Sequence, residues 1–531
     1  MANIFERALA AVSPKMAARR AAYRRQFELI EQVRAYDGAS RGRRVQGWRT
    51  QASSADAELA TGSAMLLQRS RDLVRNNPHA AKIVTAHADN IVGAGIVPRA
   101  ATGKPDLDDK INRAFDRWTA KCASDGTTDF YGQQYLAVRG MIEGGNIFAR
   151  KRVRRSSDVV GSTPDDIIAP LQIQLLEAEY LDTQKNGPVG RNLAVMGVEM
   201  DGKGARRGYW MFPQHPGATV NDPKAGRESK FIKAAEVAHL FEPLREQTIG
   251  APWLAPVMIA LRDLDDYNQA ELIRKKVEAC VVGVVVDVEG NDNGVVGQID
   301  SAADSSGGDL GSSGITDADG FPVERFEPGM ITYARGGRDI RFNNPSISAG
   351  IESYLRAQLR RLAAGARLPY EILTGDLSQS NFSANRLGLI QYRRFVEHIQ
   401  WHVIIPQFCQ PIWEWFIEAL IVVGLVPPDT IVPVEWCPPR HETVDPLDDV
   451  KADILAVRAG FRSMQDVIGS TGRTKEAVIK EMVEWNALID AEGLTLDTDP
   501  RKVSMNGQLQ FESNAGAPPN KQGKANAKEE G

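Results

Sequence analysis

Three groups of side chains in this 531-residue chain have the types and spacing that chemistry uses. Gly38-Ala39-Ser40-Arg41-Gly42 has the Gly-x-Ser-x-Gly spacing of hydrolases, whose serine works only on a strained turn between a buried strand and a helix. No apolar strand run precedes Ser40, and arginine and glycine surround it, so the match is read as chance. Asp263, Asp265 and Asp266 have the carboxylate density of a Mg²⁺ site, but at spacings of one and two on a helix their side chains diverge. They read as a solvated or channel-facing acidic band. His398 and His402 lie four apart, a spacing that lets two imidazoles share a metal on one helical face. Neither an HExxH pattern nor a nearby carboxylate pair completes that site, and His79 and His87 are too far apart for one turn to join. A phosphate-cradling GxxxxGK[ST] run is absent from the sequence. No catalytic residue, cofactor or metal is therefore assigned.

The charge distribution narrows the partners. The chain carries a formal charge of -4, which gives no bulk attraction to nucleic acid, but its first 50 residues hold eleven Lys or Arg against four acids. Arg19, Arg20, Arg24, Arg25, Arg41, Arg43 and Arg44 are among them. This flank reads either as a phosphate-binding arm or, more simply, as a solvated helix and tail that pack on a neighbour. Lys151, Arg152, Arg154 and Arg155 form a second basic cluster, read as a strand end facing solvent. Cys122, Cys280, Cys409 and Cys437 show no CxxC spacing, which argues against a zinc site or a disulfide framework and fits a reducing compartment. The N-terminus has no apolar signal core, and Ala419 to Val426 is too short to span a bilayer, so neither secretion nor a membrane is expected.

The elements that must position these residues follow from periodicity. With 43% apolar and 25% charged residues the composition is that of a folded protein, and the length exceeds what one core holds. Ala55 to Val92 is helical with a break at Asn76-Asn77-Pro78; Leu107 to Trp118 and Gly132 to Gly144 are further helices. The period then falls toward two at 146–153, 171–176, 195–200, 208–212 and 236–241, so an α+β domain is expected. Pro252 to Cys280 is a long helix with Leu254, Val257, Leu261 and Leu264 on one face. Val281 to Val288 and a hairpin in 329–342 enclose a Ser-, Gly- and Asp-rich segment, 300–320, expected to be mobile. From Ser346 to Arg367 apolar positions recur at helical spacing with Arg356, Arg360 and Arg367 opposite. Leu368-Pro369 stops that helix, and a polar loop leads to a second one carrying Arg386, Arg393 and Arg394. Trp401 to Val426 reads as a buried aromatic helix, three helices follow between Asp445 and Trp485, and the end from about 492 is expected to be flexible.

The run SYLRAQLRRLAAGARLPYEILTGDLSQSNFSANR resembles the lambda-type portal proteins of tailed bacteriophages. So do RSRDLVRNNPHAAKIVTAHADNIVGAGIVPRA, AYDGASRGRRVQGWRT and FEPGMITYARG, and the likeness covers most of 34–485. It implies a portal-like plan: a basic N-terminal flank (1–54), an α+β wing (55–250), a stem helix (251–280), a small β-rich clip (281–344) and a second stem helix (345–367). A tunnel loop with a second part of the wing (368–440), a helical crown (441–490) and a tail (491–531) complete it. The implied tunnel loop is Gly375, Asp376, Leu377, Ser378, Gln379, Ser380, Asn381, Phe382, Ser383, Ala384 and Asn385. Arg356, Arg360 and Arg386 either pair with neighbouring acids or face DNA phosphates. The implied partners are further copies of the chain in a ring of twelve, the terminase large subunit, major capsid and scaffold proteins, connector proteins, and double-stranded DNA read without sequence specificity. The implied place is the portal vertex of the virion, after assembly in the host cytoplasm. A capsid-associated adaptor or scaffold, or a DNA-processing enzyme, are the alternatives.

Overall fold

A computed structural model describes residues 52–153, 168–218, 228–280, 350–378, 381–439, 446–470 and 475–494, with a few short pieces elsewhere. The chain divides into two compact units, Met1–Ala57 and Glu58–Gly531. In the first, Lys15, Met16, Arg19 and Tyr23 are helical and exposed, which puts Lys15, Arg19 and Tyr23 on one face. The Gly-x-Ser-x-Gly run at 38–42 and segment 300–320 lie outside the described residues.

The described helices and strands occur in the order expected of alternating periodicity. Helix α1 (Ala55–Asn76) is followed by α2 (Pro78–Val92). Between them Asn77 is extended, and its side-chain oxygen accepts from the amides of His79 and Ala80, each at 3.0 Å, which caps α2 just ahead of Pro78. Strand β1 (Val97–Ala100), α3 (Pro105–Thr119) and α4 (Phe130–Gly144) come next. An antiparallel three-stranded sheet has the order β3 (Leu171–Glu177), β2 (Ile147–Val153), β9 (Val237–Leu240). The strands from β4 (Gly187–Val189) through β5 (Asn192–Val195), β6 (Val198–Met200) and β7 (Arg206–Met211) to β8 (Lys230–Lys233) make an antiparallel five-stranded meander. The expected single strand over 195–200 is in fact the tip of a hairpin. Met196 and Gly197 both take positive φ, 47° and 81°, the pair of left-handed residues that a two-residue turn needs.

Helix α5 (Met258–Cys280) begins six residues later than expected, because 252–257 are turns that deliver Leu254 and Val257 into the core. Strands β10 (Val284–Val286) and β11 (Thr332–Ala334) pair in parallel; the remainder of the expected hairpin is outside the described residues. Helix α6 (Ile351–Gly365), short α7 (Tyr370–Thr374) and α8 (Phe382–Ile399) follow. Helix α8 continues without a break through a π-helical segment, Gln400–Cys409, into α9 (Gln410–Val423). Pro406 within that segment has no N–H to give, and the wider π spacing accommodates it without ending the helix. Strand β12 (Val434–Cys437) then pairs antiparallel with β1, Val97 opposite Cys437. The C-terminal helices are α10 (Pro446–Arg458), α11 (Met464–Ser470) and α12 (Lys475–Ala491).

Two cores result. The larger gathers α2, α3, α4, the turn before α5, the end of α6 and the π segment with α9, with Phe115, Phe130, Phe408, Trp413 and Phe416 fully buried in edge-on, tilted and stacked ring contacts. The smaller lies between the two sheets and contains Phe148, Leu176, Val198, Tyr209 and Met211. Among the described residues no helix is long and apolar enough to cross a membrane.

The backbone approaches itself most closely where the smaller core meets the turn into α5. Gly145 has φ 80°, and a Cβ at Gly250 would lie 2.2 Å from the Gly145 carbonyl oxygen. The Asn146 side chain clamps Gly250 from both sides, accepting from its amide at 2.7 Å and donating to its carbonyl at 3.1 Å. Gly250→Ala is therefore expected to lower unfolding stability by about 2–3 kcal/mol, because neither backbone can retreat. Chemical denaturation checks it; a loss under about 0.5 kcal/mol would show that the approach is loose.

Candidate functional site

The break between α6 and α8 is built by three successive local devices. Helix α6 ends in a Schellman-type cap: Leu368 N–H donates to the Ala363 carbonyl at 3.0 Å while Arg367 takes φ 60°. Glycine usually occupies that left-handed position. Here an arginine does, and its guanidinium accounts for the exception by donating two parallel bonds to Glu242, at 2.7 and 2.8 Å. The same guanidinium lies 4.4 Å from the Trp253 ring centre and 5.2 Å from that of Phe395. One side chain thus ties the end of α6 to β9's exit, to the turn before α5 and to α8.

Beneath this clamp sits His87. Its Nε2 donates to the Ala366 carbonyl at 2.9 Å, which leaves Nδ1 to accept from the Tyr392 hydroxyl at 3.2 Å. The ring is neutral in this arrangement, and burial, with Arg367 close by, pushes its pKa down to about 4. Trp253 packs edge-on against it at 5.0 Å.

The loop itself is held by Asp376. After α7, Gly375 turns with φ 72°, and the Asp376 carboxylate accepts from the Ser378 hydroxyl at 2.6 Å, the Ser378 amide at 3.0 Å and the Tyr370 hydroxyl at 3.0 Å. The Ser378 bonds first, then that from Tyr370, hold its carboxyl below the usual carboxylate range. Leu377 projects outward, 64% exposed. Gln379 and Ser380 lie outside the described residues. Asn381 caps α8 by accepting from Ser383 N–H at 3.3 Å, so the expected loop ends earlier than 385: Phe382, Ser383, Ala384 and Asn385 form the first turn of α8.

The three arginines have partners in the same chain. Arg356 bonds Glu352 one turn back at 2.7 Å, and Arg360 lies over the Tyr370 ring at 5.6 Å. Arg386 reaches Asp449 in α10 at 2.9 Å. In the second basic cluster Lys151 pairs with Glu418 and Arg152 with Gln174, while Arg154 and Arg155 are outside the described residues.

The chemistry-bearing groups do not assemble a reactive centre. Asp263 and Asp266 are exposed and Asp265 is half-buried, and the three share no metal-spaced cluster among the described residues. His398 and His402 are exposed with ring centres 5.1 Å apart and no third ligand-type neighbour at that spacing. The cluster that does have such spacing is Glu177, Glu179 and His215. There Arg71 already supplies the positive charge, 2.6 Å from Glu179 and 3.1 Å from Glu177. Cys122, Cys409 and Cys437 are free and buried, which pushes their thiols upward and away from reactivity.

Residues 41–400 match the family described as phage portal protein, lambda family. The chain belongs to that family. Lambda-family portal proteins are structural rather than enzymatic. This portal chain is 26% identical over 472 residues to a probable portal protein of Halomonas phage phiHAP-1, covering 85% of this chain and 86% of that one. It is 23% identical to the portal protein of Escherichia phage N15 and 21% identical to portal protein B of Escherichia phage lambda, each over 86% of this chain and 90% of the relative. Among solved structures it is similar to a chain in the neck of an empty GTA particle, with 15% identity and a TM-score of 0.35 over 77% of this chain and 93% of that one. It is also similar to one in the neck of a native GTA particle, with 14% identity and a TM-score of 0.35 over 75% and 92%. The matched span of the portal chain contains the loop, Arg356, Arg360 and Arg386. It also contains His87 and Glu242, which sequence reading missed as a connected pair of supports for the loop. Their only sequence signal is an arginine, Arg367, at the helix stop before Leu368-Pro369, where glycine would be ordinary.

Proposed function

We propose that this portal subunit assembles into a ring of twelve at one capsid vertex, where it nucleates procapsid assembly, docks the terminase through residues 281–344 and conducts double-stranded DNA during packaging and ejection. Connector proteins join the ring afterwards, and assembly takes place in the host cytoplasm. The observation that carries this reading is the succession α5, paired short strands, α6, α7, pinned loop, α8, inside the span that matches the family. In it α5 and α6 are the stem, 281–344 the clip, the loop after Gly375 the tunnel loop, 55–250 with the later core helices the wing, and α10–α12 the crown. Tyr267 and Tyr354, with ring centres 5.2 Å apart, link the two stem helices.

DNA passage demands weak contacts, because strong phosphate binding repeated in every subunit sums to a stall. A subunit of charge -4 whose loop presents Leu377 and polar groups meets that demand. Negative-stain microscopy with mass measurement tests the assembly: closed rings with a central channel are expected. Monomers alone, even after coexpression with the capsid protein, would overturn it.

Arg386 belongs to the loop's exit and not to the fold. Its pair with Asp449 is 40% and 31% exposed, so Arg386→Ala should cost under about 1 kcal/mol of stability. Packaging or retention of DNA is nevertheless expected to fall severalfold in virions carrying it. Unchanged assembly, packaging and retention would remove Arg386 from the channel.

A further inference from the structure

The three C-terminal helices have almost no core of their own. Between Leu447 and Leu494 twelve large apolar side chains are exposed, from Ile454 at 37% to Phe461 at 86%, and among the described residues Ile489 is the one large apolar side chain there that is buried. The exposed groups are not scattered. On α10, Leu447, Val450 and Ile454 recur at three and four; on α12, exposed Met482 and Trp485 sit three apart in a row that half-buried Val478 and buried Ile489 extend at four on either side. Those are the spacings of a helix-to-helix seam. Val478, Met482, Trp485 and Leu488, edged by Glu481 and Glu484, form a shallow groove along α12.

The exposed apolar area is shared along 447–494. Large side chains offer roughly 150 Å² or more each. Twelve of them about half exposed therefore present on the order of 1,000 Å² of apolar surface in all; the three or four side chains of one stripe supply roughly 300 Å² of it, so a seam between two stripes is one part of a subunit interface, a complete one taking ~800 Å² per partner. A subunit in a closed ring meets its two neighbours through two different faces, so a single self-complementary patch does not serve. The stripes on α10 and α12 are two such faces. Asp449 of α10 meets Arg386 of α8 at 2.9 Å, a contact between α10 and its own chain.

We infer that the α12 stripe of one subunit packs on the α10 stripe of the next copy, so that the C-terminal helices of the ring complete one another's core. The inference rests on the ring reading above and specifies where one seam runs. In the ring the exposed part of the α12 stripe becomes buried, which also gives a physical reason for α10 and α12 to stay helical: tertiary packing supplies most helical stability.

The test uses the full chain. Trp485→p-benzoylphenylalanine, made as a mixture of light- and heavy-isotope subunits, is irradiated after assembly. Mixed-label cross-links from position 485 to 446–458 of a second copy are expected. Cross-links confined to one chain, to its own residues 502–531 or to its N-terminal flank, or cross-links to a different protein, would overturn the seam. A second variant, Met482→Asp with Trp485→Asp, separates the seam from the ring itself. Loss of rings, with amide exchange in 446–491 accelerated at least tenfold, is expected. Rings that persist in the double variant with unchanged exchange overturn the seam while leaving the ring reading in place. Absence of rings and of mixed-label cross-links in the otherwise unaltered chain overturns both.

Discussion

Replacing Arg367 with alanine is expected to cost about 3 kcal/mol of unfolding stability. Removing one partner of a buried ion pair costs about 3–5 kcal/mol because the other charge is left without compensation. Glu242 is that other charge, with only 11% of its side chain exposed, and the 34% exposure of Arg367 puts the effect at the low end. Two ring contacts are lost as well. Backbone strain supplies an internal control. Alanine keeps a Cβ at φ 60°, whereas glycine does not, so Arg367→Gly should be less destabilised than Arg367→Ala by up to about 1 kcal/mol. Lysine cannot reproduce the two parallel bonds and should recover little. Denaturant titration of the three variants measures all of this. Equal stability of wild type and Arg367→Ala would mean that the clamp only decorates a junction held by packing.

Acidification should unfold the protein more readily through two histidines that the fold keeps neutral. His239 is stacked between Phe148 and Phe241. Arg206 can only donate, at 2.7 Å to His239 Nδ1, so Nε2 carries the proton and donates to Asn146 at 3.0 Å. Burial first, and the nearby Arg206 second, hold the pKa of His239 well below the ordinary value of 6.5. His87 lies at about 4 for the same first reason. For each group the unfolded chain takes up its proton at a higher pH than the folded one. The unfolded state therefore binds more protons below pH 6.5, and stability falls as the pH drops from 6.5 toward 4. For His87 alone the loss amounts to about 3 kcal/mol by pH 4. The two Arg206 bonds, to His239 and to the Thr248 carbonyl, make the second site a point where the five-stranded meander separates from the turn into α5. His87→Gln should flatten the slope of stability against pH between 6.5 and 4 while lowering stability at neutral pH. An unaltered slope in that variant would show that other groups carry the acid sensitivity.

Elements whose apolar pattern repeats within one segment were legible in the sequence, and contacts between distant segments were not. The stop at Leu368-Pro369, the break at Asn76-Asn77-Pro78, and the burial of Leu261 and Leu264 on one face of α5 all follow from local rules and are present. The 195–200 segment misled because Met196 and Gly197 continue an alternating pattern while bending the chain back on itself. The loop was placed too long at its end because Asn381 and Ser383, read as polar loop residues, are the capping end of α8. Arg367 looked like one more member of a basic stripe with Arg356 and Arg360. Its different fate depends on Glu242, 125 positions away, and on a left-handed backbone that residue type does not announce. The clamp beneath the loop after Gly375 came only from the packed structure.

The pairing of β1 with β12 sets a timetable for synthesis. Val97 meets Cys437, 340 residues downstream, and in the same core His87 waits for Ala366 and Tyr392. At about 5–20 residues per second, ribosomes need roughly 20–70 s to supply the missing partners. Meanwhile the apolar side of α2 and the free edge of β1 stand exposed on the nascent chain. The smaller core, drawn from 148–249 and built on hairpin neighbours, has no such delay and can close early. Chains interrupted before residue 437 would carry a closed small core attached to an unfinished large one whose apolar surface stays uncovered until β12 emerges.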